Sequence, residues 1–439
     1  MYLLPSVERM CPKGTTNRVH HLINNEHLGT IASMYSWVIA IVACAICAMN
    51  GHPLVWSSFP ILALAAVVAG TRRGSRHLST GGPIMTGIIL ASMMAFLWSA
   101  FIALFGLDFY AGVAWVGGGG AVMLGFIVGS AATRASSTWI SVAVGSAIGY
   151  SIHSARLLGW FVGEAGWSLS DIVQHRWNVA AIDGASLSGF GNLGNNAVLA
   201  AMLLPAFLVT SAGACSWRAR LILALASVLA TSVLAVTQSR SALAVAVMMG
   251  VTLLLATRHF KVLILLVLCM FGAIFWGSRN DGGLEVNTVI RLQQTAQSVS
   301  EDASAGERLS AIQEGWDVMI LNPICGIGPS QIAGELTLTA PHQWHLHQAL
   351  EWGVVVGLSL SIATGLTLLL FTKKLLRSWL GDPVDRRIAI CLSVPVSYLA
   401  IATISGAQWH YGMASVWPSM CGLCFGVAWS LERDRRSLT

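Results

Sequence analysis

The chain has 439 residues, of which 55% are hydrophobic and 10% charged, with a formal net charge of +6 and a mean hydropathy of +0.69. Soluble domains carry roughly a quarter charged residues, so a soluble enzyme, a secreted disulfide scaffold and a disordered tail are excluded. The apolar residues come in blocks of about 20, the length at which a helix crosses about 30 Å of hydrocarbon. The expected fold class is therefore all-α: a polytopic integral membrane protein in which residues 1–439 form one transmembrane helical domain.

After a polar stretch, apolar blocks run at 31–49, 53–70, 83–106, 110–131, 136–160, 194–214, 217–236, 239–257, 259–277, 349–372, 387–407 and 411–430, which predicts twelve spans. Trp37, Trp56, Trp160, Trp276, Trp379, Trp409 and Tyr411 stand near block ends, where aromatic side chains anchor at the membrane interface. The first block lacks a cleavage pattern behind it and does not read as a signal peptide.

Twelve spans place both termini on one side, and basic residues mark which side is cytoplasmic. With the termini inside, 19 of the 25 Lys and Arg fall on the cytoplasmic side, among them Arg72, Arg73, Arg76, Lys373, Lys374 and Arg377. Six remain outside: Arg156, Arg176, Arg240, Arg279, Arg291 and Arg308. None of the six is Lys. A planar fork of fixed charge suits carboxylates and phosphates, although Arg outnumbers Lys throughout the chain and the bias is open to that plainer reading. The +6 is thus an orientation signal, not a nucleic-acid footprint.

Two outer connections are long, 161–193 and 278–348. The second carries Arg279, Arg291, Arg308 and a His cluster, and loops of this length are functional or disordered. Within it Val289, Leu292, Ala296 and Val299, then Leu309, Ile312, Trp316 and Met319, have helical spacing. This predicts short helices over 286–320 lying on or near the bilayer surface. Asn322-Pro323 and Gly326-Ile327-Gly328-Pro329 then break the chain. Only Cys325 of the nine cysteines is in an outer loop, so no structural disulfide is expected, and Cys421 and Cys424 read as helix packing.

Four segments can carry chemistry. Arg240, in Thr237-Gln238-Ser239-Arg240-Ser241, opens an apolar helix at its outer end, where facing lipid would be costly; it faces a polar cavity or snorkels. Pro341-His342-Gln343-Trp344-His345-Leu346-His347 precedes the tenth span. A histidine there can act as general base on a hydroxyl. A zinc site is the rival, disfavoured because His345 and His347 do not share a helical face and no Cys joins them. Gly306-Glu307-Arg308 places an Arg close behind a Gly, suited to a diphosphate or to a solvated face. Gly191-Asn192-Leu193-Gly194-Asn195-Asn196 offers close backbone approach and amide hydrogen bonds, or a plain turn.

Taken in order, these segments resemble the O-antigen ligase superfamily of bacterial envelope glycosyltransferases, which also includes O-antigen polymerases and protein O-oligosaccharyltransferases. The resemblance covers about residues 186–365. The family's last element reads His-Asn-x-x-Leu…Glu-x-Gly, which aligns with His342-Gln343-Trp344-His345-Leu346…Glu351-Trp352-Gly353 and puts the family His on His342, with Gln343 in place of Asn. The family's Asn-Pro-Asn falls on 192–196, with Asn195 or Asn196 as the match.

The resemblance implies an inverting, metal-independent transfer of a glycan from undecaprenyl diphosphate to an acceptor hydroxyl, with no cofactor, at the periplasmic face of the bacterial inner membrane. It implies His342 as base and Arg240 and Arg308 as cations for the leaving diphosphate. Arg291, Arg279, Asn195, Asn196, His345 and Gln343 are then candidates for holding diphosphate or glycan. Lipid A-core is the favoured acceptor, with a second lipid-linked glycan or a pilin as alternatives. From another class, a transporter or flippase of lipid-linked glycans would also explain twelve spans. It accounts less well for charge gathered in one outer loop.

Overall fold

The computed structural model describes residues 36–48, 82–105, 109–131, 135–163, 193–214, 216–237, 239–265, 303–328, 343–405 and 416–436, with 268, 331 and 332. Among the described residues all regular structure is helical. The helices are α1 (Ser36–Ala48), α2 (Pro83–Phe105), α3 (Phe109–Ser130), α4 (Ala135–Gly163), α5 (Leu193–Gly213), α6 (Trp217–Thr237) and α7 (Arg240–Ala256). Residues 260–265 are helical as well, and the chain continues with α8 (Ala303–Leu321), α9 (Trp344–Trp352), α10 (Val354–Trp379), α11 (Pro383–Ser405) and α12 (Val416–Arg436). Segments Pro83–Ile102, Asn196–Gly213, Trp217–Leu234, Val354–Trp379 and Pro383–Ile404 are long and apolar enough to cross a membrane. The predicted second span, 53–70, lies outside the described residues.

Helices dominate because hydrocarbon offers no partner for a backbone N–H or C=O. The hydroxyls follow the same rule: in α6, Ser227, Thr231, Ser232 and Thr237 each donate to the carbonyl four residues back, at 2.8 to 3.0 Å. Large apolar side chains point outward as well as inward. Leu90, Met93, Met94, Leu97 and Phe101 form the exposed face of α2, the arrangement expected where lipid replaces water.

Close approach in such a bundle depends on small residues. Gly125 and Gly129 of α3 face Gly422 and Gly426 of α12, four residues apart on each helix. A Cβ at any of the four would overlap the partner helix's backbone. Gly145 and Gly149 of α4 meet the backbone of Ala40 and Cys44 of α1 in the same way. Cys424 is buried in the core.

Short connections turn the chain back between α5, α6 and α7 and between α10 and α11, which gives the bundle two ends. At one end Arg258 donates to the carbonyl of Trp379 at 2.7 Å, and Lys374 donates to Asp385 at 2.7 Å and to Glu432. Arg435 donates to both Asp385 carboxylate oxygens, at 2.9 and 2.8 Å. The end of the apolar block at residue 372 predicts Lys374 in the cytoplasmic connection to the next span. Instead α10 runs to Trp379, and Lys374 is 2% exposed. Two carboxylates make its burial tolerable, since an unpaired charge there would be prohibitive. The opposite end carries α8 and α9. Asp385 and Thr403 mark the two ends on α11, eighteen residues apart, or about 27 Å at helical rise. That separation is close to the thickness of a hydrocarbon layer.

The helical spacing at Leu309, Ile312, Trp316 and Met319 is realised as α8; the predicted helix around Val289–Val299 lies outside the described residues. Met319 packs with Leu346, Ala349 and Leu350 of α9. Leu309, Trp316 and Ile320 are exposed on the other face.

Candidate active site

The tenth span does not begin at residue 349. Residues 344–352 form a separate helix, α9, and α10 starts at Val354. Gly353 between them has φ 89° and ψ 166°, a region open in practice only to glycine. Gln343 caps the other end: its side-chain oxygen accepts from the backbone N–H of Leu346. This gives Gln343 a definite task, satisfying one of the donors a helix start leaves unpaired.

The Gly-rich turn after α8 clamps the break. Ile327 N–H donates to Leu350 O at 2.7 Å, Gly328 N–H to Glu351 O at 3.2 Å, and Val354 N–H to Pro323 O at 2.7 Å. Carbonyls that the end of α9 leaves without helical partners are thereby satisfied. Gly326 has φ 69° and lies against the backbone of Leu350 and Glu351, while Gly353 lies against Ile324. The run Pro323–Gly328 therefore works as a bracket that fixes α9 against α10.

The two faces of α9 have different neighbours. Leu346, Ala349 and Leu350 turn toward α8. Trp344 and Trp352 turn into the main core, and helical spacing puts His347, Gln348 and Glu351 on that side too. All three are buried. His347 Nε2 is 3.4 Å from Glu351 Oε1, a pair one turn apart. Gln348 is fully buried, and neither of its amide atoms has a hydrogen-bond partner among the described residues.

His345 is placed differently. It is half-buried, its ring centroid is 5.1 Å from that of Trp344, and its Nε2 is 3.5 Å from the hydroxyl of Thr403 on α11. Its Nδ1 is buried and has no hydrogen-bond partner among the described residues. Burial pushes the imidazole below its ordinary value of 6.5, which keeps the ring neutral near pH 7 and able to accept a proton.

Several other candidates belong to the same end of the bundle. Arg240 is the first residue of α7, whose last turn reaches the Lys374 end through Ser378 and Ala256. Sixteen residues separate Arg240 from Ala256, about 24 Å, so Arg240 opens the helix at the α9 end. The turn-connected α5, α6 and α7 bring Asn195 and Asn196 to that end as well, and Asn196 is fully buried. Arg308 lies eleven residues before Met319 on α8, about 16 Å from where that helix docks on α9. His342, Arg279 and Arg291 lie outside the described residues, as do the side chains of Arg240, Arg308 and Asn195.

The sequence reading did not anticipate Thr403 beside His345, nor the pairing of 323–328 with 350–354. Thr403 gives no signal, because a hydroxyl within an apolar span is common and its neighbour is 58 residues away. The bracket had a visible trace in its glycines. Their spacing announces a break in the chain but does not name what they break against.

No curated protein matches the sequence. Residues 225–361 match the family model described as O-antigen ligase. The matched segment contains the Ser239-Arg240-Ser241 turn, α8 with Arg308, the 323–328 bracket and the whole of α9. Over this segment the chain is similar to the O-antigen ligase family.

Proposed function

We propose that the protein transfers a glycan from undecaprenyl diphosphate to an acceptor hydroxyl at the periplasmic face of a bacterial inner membrane, with lipid A-core as the acceptor. One observation carries the reading. The stretch that matches the O-antigen ligase family holds Arg240, Arg308, His342 and His345, and the helices bearing the described ones lead to a single end of the bundle. The family match supports glycan transfer of the ligase or polymerase kind in general. The donor, acceptor and orientation are the finer part of the proposal.

In the proposed reaction His342 takes the proton of the acceptor hydroxyl. The oxygen attacks the anomeric carbon from the face opposite the leaving group, and the bond to the diphosphate breaks with inversion. The charge that develops on the diphosphate is what fixed cations in a water-poor site stabilise best, the task of Arg240 and Arg308, with Arg291 and Arg279 in reserve. His345 is the alternative base: it is neutral and half-buried, and stands beside Thr403. No metal is required by this scheme, and transfer should persist in chelator.

The test is turnover of purified protein on an undecaprenyl-diphosphate glycan, with lipid A-core, a second lipid-linked glycan and a pilin offered side by side. Product on lipid A-core supports the ligase reading; product on either other acceptor moves the protein to that branch of the superfamily. Movement of intact donor across a proteoliposome with no product on any acceptor would overturn glycan transfer in favour of transport.

A further inference from the structure

α2 packs mainly on α10, and α3 mainly on α12, while α2 and α3 touch each other less. The two pairs diverge and leave a cavity of about 370 Å³ bounded by α2, α3, α10, α11, α12 and the first residue of α9. Its wall is almost wholly apolar, with Phe96, Phe126, Phe425 and Trp344 among the lining side chains. Two further lining residues, Met93 of α2 and Met123 of α3, are 39% and 41% exposed. They stand at the outer face of the two helices, so the cavity opens sideways, where lipid would surround the bundle. Most of the lining lies outside the segment that matches the family.

We propose that this cavity holds the isoprenoid units nearest the diphosphate of the lipid-linked donor, entering between α2 and α3 past Met93 and Met123. The inference rests on the reading of the protein as using such a donor. Size supports it: a cavity of about 150 Å³ takes benzene, so 370 Å³ takes on the order of 15 carbons, or about three isoprene units. Shape and chemistry support it too. Flat, methyl-branched alkenes match aromatic walls, and methionine adapts to irregular apolar shapes. Position is the strongest support. Trp344 closes the cavity at the α9 end, and its ring is 5.1 Å from that of His345. A chain seated there delivers its head group to the end of the bundle where His345 lies and where α7 opens at Arg240. Contact with Trp344 then links occupancy of the cavity to the placement of α9.

The experiment uses the full-length protein in phosphatidylethanolamine/phosphatidylglycerol nanodiscs and a polyprenyl diphosphate carrying a diazirine on its second isoprene unit. Labelling is expected on α2, α3 and α10 to α12 lining residues, and competition is expected from unlabelled polyprenyl diphosphate but not from added phosphatidylglycerol. Ala363→Trp, which fills the cavity, and Met123→Trp, which narrows the mouth from an exposed position, should each lower labelling about tenfold, the effect of some 1.4 kcal/mol. The mouth variant covers the case in which the buried one fails to fold. Labels mapping elsewhere, labelling unchanged in both variants, or equal competition by phosphatidylglycerol would overturn the proposal. The two readings fail separately: absence of glycan transfer by the wild type, with cavity labelling intact, removes the glycosyltransferase reading and leaves the isoprenoid site.

Discussion

Gly353→Ala tests the bracket that positions α9. At φ 89° and ψ 166°, Gly353 occupies backbone space that costs a residue with a Cβ about 1–3 kcal/mol. The added methyl would also overlap the carbonyl of Ile324, so the junction must open. Opening it releases the hydrogen bonds from Val354 to Pro323 and from Ile327 to Leu350, both 2.7 Å, worth about 0.5–1.5 kcal/mol each. The combined loss is roughly 2–6 kcal/mol, a large part of the stability of an ordinary domain. Because the bracket holds α9 and not the whole bundle, the loss should fall on the site. The assay is glycan transfer by purified protein together with its thermal unfolding, with Gly365→Ala as control. Gly365 lies within α10 with open space at its Cβ position, and alanine there should be neutral or stabilising by up to about 1 kcal/mol. Transfer by Gly353→Ala at the wild-type rate, with unchanged unfolding, would refute the assignment of 323–328 as the clamp of α9.

Lys374→Met leaves Asp385 and Glu432 with a buried partner removed and should cost about 3–5 kcal/mol; the thermal midpoint in detergent reads it, and Glu432→Gln in the same chain should recover part of the loss. Gly422→Val would force α12 off Val122 of α3, and a fall in folded yield by size-exclusion chromatography is expected; yield equal to wild type would show that this contact is not tight. For His345, burial lowers the folded pKa below 6.5, so between that value and 6.5 the unfolded chain binds more protons than the folded one. Stability should therefore fall as pH drops from above 6.5 through the folded pKa, and His345→Gln should flatten that dependence in a pH series of unfolding midpoints. Arg240→Ala and His342→Ala should each abolish transfer while leaving protein in the membrane; wild-type turnover by His342→Ala would shift the base to His345.

Much of the architecture was legible in the chain, because hydrocarbon imposes a severe rule: a span must be a helix of fixed length that satisfies its own backbone. The blocks at 83–106, 110–131, 194–214 and 217–236 correspond to α2, α3, α5 and α6 to within a residue. The order Arg240, Arg308, His motif could be read directly, and it is the order the family match contains. Three things required the fold. The break at Gly353 was hidden, since Gly353 stands within the apolar block 349–372; it exists because carbonyls of α9 are taken by a turn more than twenty residues upstream. Lys374 read as a loop charge because its carboxylate partners are eleven and 58 residues away. The cavity has no sequence signature at all: its lining residues are ordinary span residues, and the space between them arises from which helix each one packs against. Periodicity and length thus determined the elements and the end at which charge gathers. Tertiary packing decided how the His-bearing helix is held, how the buried lysine is neutralised and where an apolar chain can enter, because each depends on contacts between residues far apart in sequence.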